Sequence, residues 1–78
     1  MEKAKPNKMT QAQIIRARIE ALMRANRIKY GMLAVIIEKC PQTVSKRMNE
    51  PETFTVEELI KVCRFFKVTM KELCGGEV

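Results

Sequence analysis

The chain has 78 residues, enough for one small domain, which excludes a multidomain enzyme. Hydrophobic residues make up 46% of it and charged residues 31%, proportions that are typical of a folded globular protein and exclude a disordered or collagen-like chain. The formal net charge of +6 is concentrated in residues 1–48, where eleven Lys and Arg stand against three Glu.

The chain begins with a basic segment, residues 1–9, which contains Pro6 and shows no apolar periodicity. We predict a flexible basic arm there, ahead of one domain over residues 10–78. A basic excess of this kind favours a polyanionic partner such as a nucleic acid, and the alternative is an ordinary solvated surface.

A first helix is predicted over residues 11–26. Thr10 and Gln13 form a T-x-x-Q capping box, a common start of a helix. Apolar residues then recur at helical spacing, namely Ile15, Ile19, Leu22 and Met23. Three arginines are expected on the outer side of this helix: Arg16, Arg18 and Arg24.

Two short helices, over residues 31–38 and 41–49, are predicted to meet across a tight turn. The residue before a proline is disfavoured in a helix, so the earlier helix ends before Cys40, whereas Pro41 suits the first turn of a new helix. A steep helix crossing needs a small residue opposite an apolar one, and Ala34 and Val44 are that pair. The expected inward residues of this helix-turn-helix, about residues 30–49, are Leu33, Ala34, Ile37, Val44 and Met48.

Two more helices are predicted after Pro51 and a loop over residues 50–54. Capping boxes at Thr55 with Glu58, and at Thr69 with Glu72, start helices over about 56–67 and 70–74, the last closed by glycines at 75 and 76. The expected inward residues of the fourth helix are Leu59, Val62, Cys63 and Phe66. No segment alternates as a strand would, so the predicted fold is all-α, a compact bundle of five short helices.

Several kinds of site are disfavoured by residue type. Three cysteines without a C-x-x-C pair, and no histidine, favour neither a disulfide framework nor a zinc site, so we expect a reducing compartment and no cofactor. No pairing of a nucleophile with a base is evident, so no enzymatic activity is expected. The longest apolar run, residues 32–37, is too short to cross a bilayer, and we expect a cytoplasmic protein with no membrane contact.

We expect that the chain could self-associate, because a domain of this length is only marginally stable as a monomer. Large apolar side chains near the C-terminal end, Phe65, Met70 and Cys74, would supply a homodimer face. Simple burial of these side chains in a monomer is the equal alternative.

The third predicted helix has a polar outer side without acidic residues, formed by Gln42, Thr43, Ser45, Lys46 and Arg47. The segment LAVIIEKCPQTVSKRMN, residues 33–49, resembles the helix-turn-helix of the lambda-repressor-like, Cro-type DNA-binding proteins. The segment PETFTVEELIKVCRFFKVTMKEL, residues 51–73, resembles the two closing helices of small phage regulators of that family. This chain has Glu38 where the family often has glycine at the turn, which costs about 1 kcal/mol if that site needs a positive φ.

The resemblance implies a domain that reads the DNA major groove with its third helix, as a homodimer on a palindromic operator. It implies four base-reading candidates: Gln42, Thr43, Ser45 and Lys46. It implies four phosphate-contacting candidates: Lys29, Tyr30, Arg47 and Asn49. The alternative for Gln42 is a solvated surface residue, for Lys46 a phosphate contact, and for Tyr30 simple packing.

The favoured function is that of a sequence-specific double-stranded DNA-binding transcriptional regulator, with repression as the expected outcome. The alternative is a non-catalytic, protein-binding adaptor of the antitoxin or antirepressor kind, which would use the same fold and place its basic surface on an acidic protein. No small-molecule substrate is evident.

Overall fold

The computed structural model describes residues 10–74, so the predicted basic arm over residues 1–9 and the glycines after the last helix lie outside the described residues. Within residues 10–74 it contains five α-helices and no strand: α1 Gln11–Ala25, α2 Tyr30–Ile37, α3 Pro41–Asn49, α4 Val56–Phe66 and α5 Met70–Leu73. The all-α prediction is confirmed, and each helix begins and ends within one residue of its predicted bounds. None of these helices has the length and apolar character that crossing a bilayer requires.

The starts of α1, α4 and α5 are set by the predicted capping boxes. In α4, for example, the Glu58 N–H donates to Thr55 Oγ1 at 3.1 Å, and the Thr55 N–H donates back to Glu58 Oε1 at 3.0 Å. The equivalent reciprocal bonds join Thr10 to Gln13 and Thr69 to Glu72. These bonds satisfy N–H groups that a helix start otherwise leaves without partners.

The connection between α3 and α4 is more ordered than the predicted loop. Residues Pro51–Thr53 form a single 3-10 turn, and Pro51 is buried. The Thr53 hydroxyl donates to the Glu50 carbonyl at 2.6 Å, which closes the turn. This turn leads the chain directly from the end of α3 to the capping box of α4.

One hydrophobic core joins the helices. It contains Ile15, Ile19, Met23, Leu33, Ala34, Ile37, Val44, Met48, Leu59, Val62, Cys63 and Leu73. The five inward residues predicted for the helix-turn-helix are all in it, and Ala34 and Val44 are 3% and 0% exposed. Two predicted core residues, Leu22 and Phe66, are only partly buried against it. The helix-turn-helix formed by α2 and α3 is therefore anchored from the inside.

Three helices are followed, within two residues of their last one, by a non-glycine residue in the left-handed region. Arg27, Glu38 and Lys67 have φ of 58°, 60° and 60°. In each case the following N–H reaches back five residues, as when Lys39 donates to the Ala34 carbonyl at 2.9 Å. The turn of the helix-turn-helix therefore has the left-handed backbone that glycine adopts easily, and the Cβ of Glu38 makes this conformation strained.

Replacing Glu38 with glycine is expected to raise the free energy of unfolding by about 0.5–1 kcal/mol, because glycine adopts a positive φ without strain. The substitution also removes the ion pair between Glu38 and Lys61, at 3.0 Å, but the Glu38 side chain is 72% exposed and such a pair contributes little. Urea denaturation measures the change. Glu38→Ala is the control, since it loses the same carboxylate and keeps the Cβ; equal stability of the two variants would contradict the argument.

Candidate nucleic-acid interface

The outer side of α3 is positioned by its buried side. Val44 and Met48, one turn apart, are 0% and 1% exposed and seat the helix on the core. This orientation leaves Gln42, Ser45 and Lys46 exposed, together with Asn49 at the last position of the helix. Thr43 is half-buried. The helix therefore presents amide, hydroxyl and amino groups to solvent, and no acidic residue lies within Pro41–Asn49.

The starts of α2 and α3 differ from those of the other helices. Their N-cap residues, Lys29 and Cys40, have extended backbones, and neither helix has a side-chain cap. The first turns of both helices are closed by backbone bonds alone: the Met32 N–H donates to the Lys29 carbonyl at 3.0 Å, and the Thr43 N–H donates to the Cys40 carbonyl at 2.9 Å. Uncapped N–H groups at the positive end of a helix are suited to accept a phosphate or another anion. Lys29 and Tyr30 are both exposed at the start of α2.

Cys40 is an exposed free thiol at the start of α3. Its Sγ lies 3.3 Å from the hydroxyl of Thr43. Hydrogen bonds with the side chain and the backbone of Thr43, and with the backbone of Gln42, lower the pKa of the Cys40 thiol. The Thr43 hydroxyl is thereby directed towards Cys40, which leaves Gln42 as the first α3 side chain that is free to reach outward.

Lys46 is held only loosely. Its Nζ lies 3.2 Å from Glu50 Oε1 one turn later, and the two side chains are 57% and 54% exposed. An exposed pair of this kind contributes less than about 1 kcal/mol, so it does not prevent Lys46 from turning to another acceptor. Lys46 thus remains available on the same side of α3 as Gln42.

Arg47 was predicted to contact phosphate, but in the structure its guanidinium is bonded to Glu58 of α4. Its Nε and Nη2 donate to the two carboxylate oxygens of Glu58 at 3.0 and 3.3 Å. The Arg47 side chain is 17% exposed and that of Glu58 only 2%. Since a buried carboxylate needs a cationic partner, Arg47 joins α3 to α4 instead of reaching into solvent.

Glu58 remains charged in this setting. Burial opposes its ionisation, but the hydrogen bond from Arg47, the bond from the Thr55 N–H and the positive charges of Arg47 and Lys39 together lower its pKa below the usual value of 4.5. Sequence reasoning identified Glu58 as a capping residue and missed its second role. The sequence held one indication of the second role, since a single carboxylate has enough lone pairs to accept hydrogen bonds from both Thr55 and Arg47.

A second arginine, Arg16 of α1, also contacts the C-terminal end of α3. Its Nε donates to the backbone carbonyl of Met48 at 2.8 Å, and its Nη2 lies 3.5 Å from Glu20. The Met48 carbonyl is among the last four of the helix, which have no partner inside it. Arg16 was expected on the outer side of α1, and no local pattern indicated this contact.

Exposed apolar side chains occur away from α3. Phe65 is 48% exposed and Ile60 38% exposed on α4, whereas Met70 and Cys74 are half-buried against the core. Of the three side chains expected to form a dimer face, Phe65 is therefore the most accessible. The Phe65 ring contacts that of Phe66 edge to face, with centroids 5.1 Å apart.

Comparison with known protein families identified a match. The family model for a Cro/C1-type helix-turn-helix DNA-binding domain matches residues 18–77, from the middle of α1 through α5. No curated protein and no solved structure matched the chain. The matched region includes α2 and α3 completely, and with them every side chain discussed for the outer side of α3.

Proposed function

Because the chain belongs to the family of Cro/C1-type helix-turn-helix DNA-binding domains, and so is a double-stranded DNA-binding transcription regulator, we propose that it is a sequence-specific repressor which reads the major groove with α3. The observation that carries the proposal is the two-sided character of α3. Its apolar side is anchored by Val44 and Met48, and its free side offers hydrogen-bonding groups without a carboxylate. Repression follows if the occupied operator excludes other proteins from the same DNA.

Gln42 and Lys46 are the main base-reading residues in this proposal. They are exposed and lie one turn apart on α3. A carboxamide can bond to N6 and N7 of adenine, and an amino group to O6 or N7 of guanine. Ser45 is exposed and can contact either a base or a phosphate, whereas Thr43 has a smaller role because its hydroxyl is close to Cys40.

Lys29, Tyr30 and Asn49 are the proposed phosphate contacts. Lys29 and Tyr30 flank the uncapped start of α2, where a phosphate would gain the N–H groups and the positive end of the helix. Asn49 is exposed at the far end of α3. Arg47 is left out of this set because its guanidinium is bonded to Glu58.

We also propose that the protein binds as a homodimer on a palindromic operator. Exposed Phe65 and Ile60 on α4 support self-association, because a small domain gains stability by covering such side chains. Selection of bound duplexes from a random pool tests this directly. A consensus with two-fold symmetry is the expected result, and an asymmetric consensus would contradict the dimer.

Gln42→Ala and Lys29→Ala are expected to affect DNA binding in different ways. Gln42→Ala should reduce discrimination at one base pair by about 1–3 kcal/mol, because one bidentate contact is lost. Lys29→Ala should weaken binding to all sequences and reduce the dependence of log affinity on log salt by about one phosphate's contribution. Titration of fluorescent operator and random duplexes at several salt concentrations measures both effects.

Arg64→Ala is the matched control, since Arg64 is an exposed cation on α4, outside the proposed interface. It should leave the discrimination between operator and random DNA unchanged. If Gln42→Ala and Lys29→Ala reduced affinity equally for operator and random DNA, the division into base and phosphate contacts would be wrong. Binding to one acidic protein, with no preference among duplexes, would instead support the adaptor function.

A further inference from the structure

A groove lies between α1 and the segment that leads from α4 into α5. The six residues that line this α1–α5 groove are Arg18, Ala21, Leu22, Val68, Glu72 and Leu73. Leu73 is 1% exposed, and Leu22 and Val68 are partly buried against the core. The groove has a volume of about 300 Å³, whereas a cavity of about 150 Å³ is enough to bind benzene. It therefore has room for the ring of an aromatic side chain.

Phe65, near the end of α4, is an aromatic side chain that its own chain covers only in part. It is 48% exposed, although its ring contacts that of Phe66 edge to face with centroids 5.1 Å apart. Phe66 itself is packed against the core. Because an aromatic ring has a large apolar area, covering the exposed part of Phe65 with a partner is favourable.

Phe65 and the α1–α5 groove lie near each other in the molecule. Val68 lines the groove and follows Phe65 by three residues, so their Cα atoms are at most about 11 Å apart. A two-fold symmetric dimer needs such an arrangement, because one surface patch of each copy supplies both the inserted side chain and the groove that receives it. Reciprocal insertion of two Phe65 rings is therefore compatible with a closed dimer.

The charges beside these two features are complementary. Lys67 is exposed two residues after Phe65, and Glu72 is exposed at the groove. Among residues 10–74 neither of these two side chains takes part in an ion pair. In a reciprocal dimer, the Lys67 that accompanies an inserted Phe65 would approach the Glu72 of the other copy. This complementarity favours a second copy of the chain as the occupant of the groove.

We propose that the chain forms a two-fold dimer in which Phe65 of each copy inserts into the α1–α5 groove of the other. This contact rests on the homodimer of the proposed function and specifies how its two copies meet. None of the lining residues belongs to α2 or α3, so the outer side of α3 stays exposed in both copies. Two inserted rings make a small interface, and we therefore expect a weak dimer that forms at high protein concentration or on the operator.

Sedimentation equilibrium of the full chain without DNA tests the dimer. The parent should change from monomer to dimer as its concentration rises. Phe65→Ala removes the inserted ring and Ala21→Trp fills the groove, and each should weaken the dimer at least tenfold, because an aromatic anchor in a pocket supplies much of an interface's affinity. Both positions are exposed, so neither substitution should unfold the domain. Val56→Ala is the control, since Val56 is 67% exposed at the opposite end of α4, and it should dimerise as the parent does.

A mixture of the two weakened variants gives the sharpest measurement. In their heterodimer the intact Phe65 of the Ala21→Trp chain faces the intact groove of the Phe65→Ala chain, so one of the two insertions is restored. The mixture should therefore dimerise more tightly than either variant alone. A mixture no tighter than either variant, or parent-like dimerisation of Phe65→Ala, would overturn the proposal. A parent that stays monomeric up to about 1 mM would also overturn it and would leave the groove to a different partner.

DNA binding is measured separately, so that the dimer contact and the proposed function can fail independently. Phe65→Ala should keep the parent's affinity for a duplex that carries one half of the selected operator, and it should lose at least tenfold in affinity for the full palindrome. Equal affinity of the parent and Phe65→Ala for the full palindrome would contradict the contact. Dimerisation of the parent without any preference among duplexes would support the contact and contradict only the sequence-specific function.

Discussion

Replacing Glu58 with alanine is expected to lower the free energy of unfolding by about 3–5 kcal/mol, which is a large fraction of the stability of a domain of this size. The variant leaves the guanidinium of Arg47, only 17% exposed, without its carboxylate. It also removes the acceptor of the Thr55 N–H at the start of α4. Urea denaturation followed by circular dichroism measures the loss.

A double-mutant cycle tests whether the pair itself is responsible. Arg47→Met and Glu58→Leu should each be strongly destabilising, whereas the double variant should recover much of the loss, because no unpaired buried charge remains. The exposed pair of Lys46 and Glu50 is the matched control, and its cycle should give less than about 1 kcal/mol. Additive losses in the cycle of Arg47 and Glu58 would show that the pair is not coupled.

The same pair makes stability sensitive to acid. The folded-state pKa of Glu58 lies below its usual value of 4.5, so the folded protein loses this proton more readily than the unfolded chain. The contribution of Glu58 is fully present above pH 4.5 and is lost as the pH falls through the folded-state pKa. Glu58→Gln removes this titration and should flatten the corresponding part of the stability profile.

Replacing Ala34 with leucine is expected to cost about 3 kcal/mol, at the upper end of the range for overpacking a core. Ala34 is 3% exposed on α2, where α2 and α3 approach across their tight turn, and the added carbons have no space to fill. Even molecules that stay folded should lose specific DNA affinity, because α3 would be displaced relative to the start of α2. Denaturation and operator titration measure the two effects.

Ala17→Leu provides the comparison, since Ala17 is an exposed residue of α1 and leucine there is a good helix former. Its effect on stability should stay within about 0.5 kcal/mol, and its DNA affinity should match the parent. If Ala34→Leu were tolerated as well as Ala17→Leu, the close approach of α2 and α3 would not depend on a small residue at position 34.

The residues that pack α3 of the proposed interface against the core were predictable from the sequence, but the long-range side-chain contacts that hold α3 in place were not. Periodicity placed Val44 and Met48 inward, and Gln42, Ser45 and Lys46 are exposed as expected. Arg47 belongs to the same short helix, yet its position depends on Glu58, eleven residues later. Likewise Arg16 reaches Met48 across 32 positions of the chain. Neither pairing leaves a local trace in the order of residues.

The sequence alone determined the helix bounds, the all-α class and the five inward residues of α2 and α3. These features are predictable because capping boxes and apolar periodicity depend on residues only three or four positions apart. Only the tertiary structure shows that Glu58 is a buried ion-pair partner and that Cys63 contacts Met70. Such contacts depend on the angle and distance between packed helices. The angle and distance between helices are set by how their entire surfaces pack together, so they cannot be deduced from a short segment of the sequence.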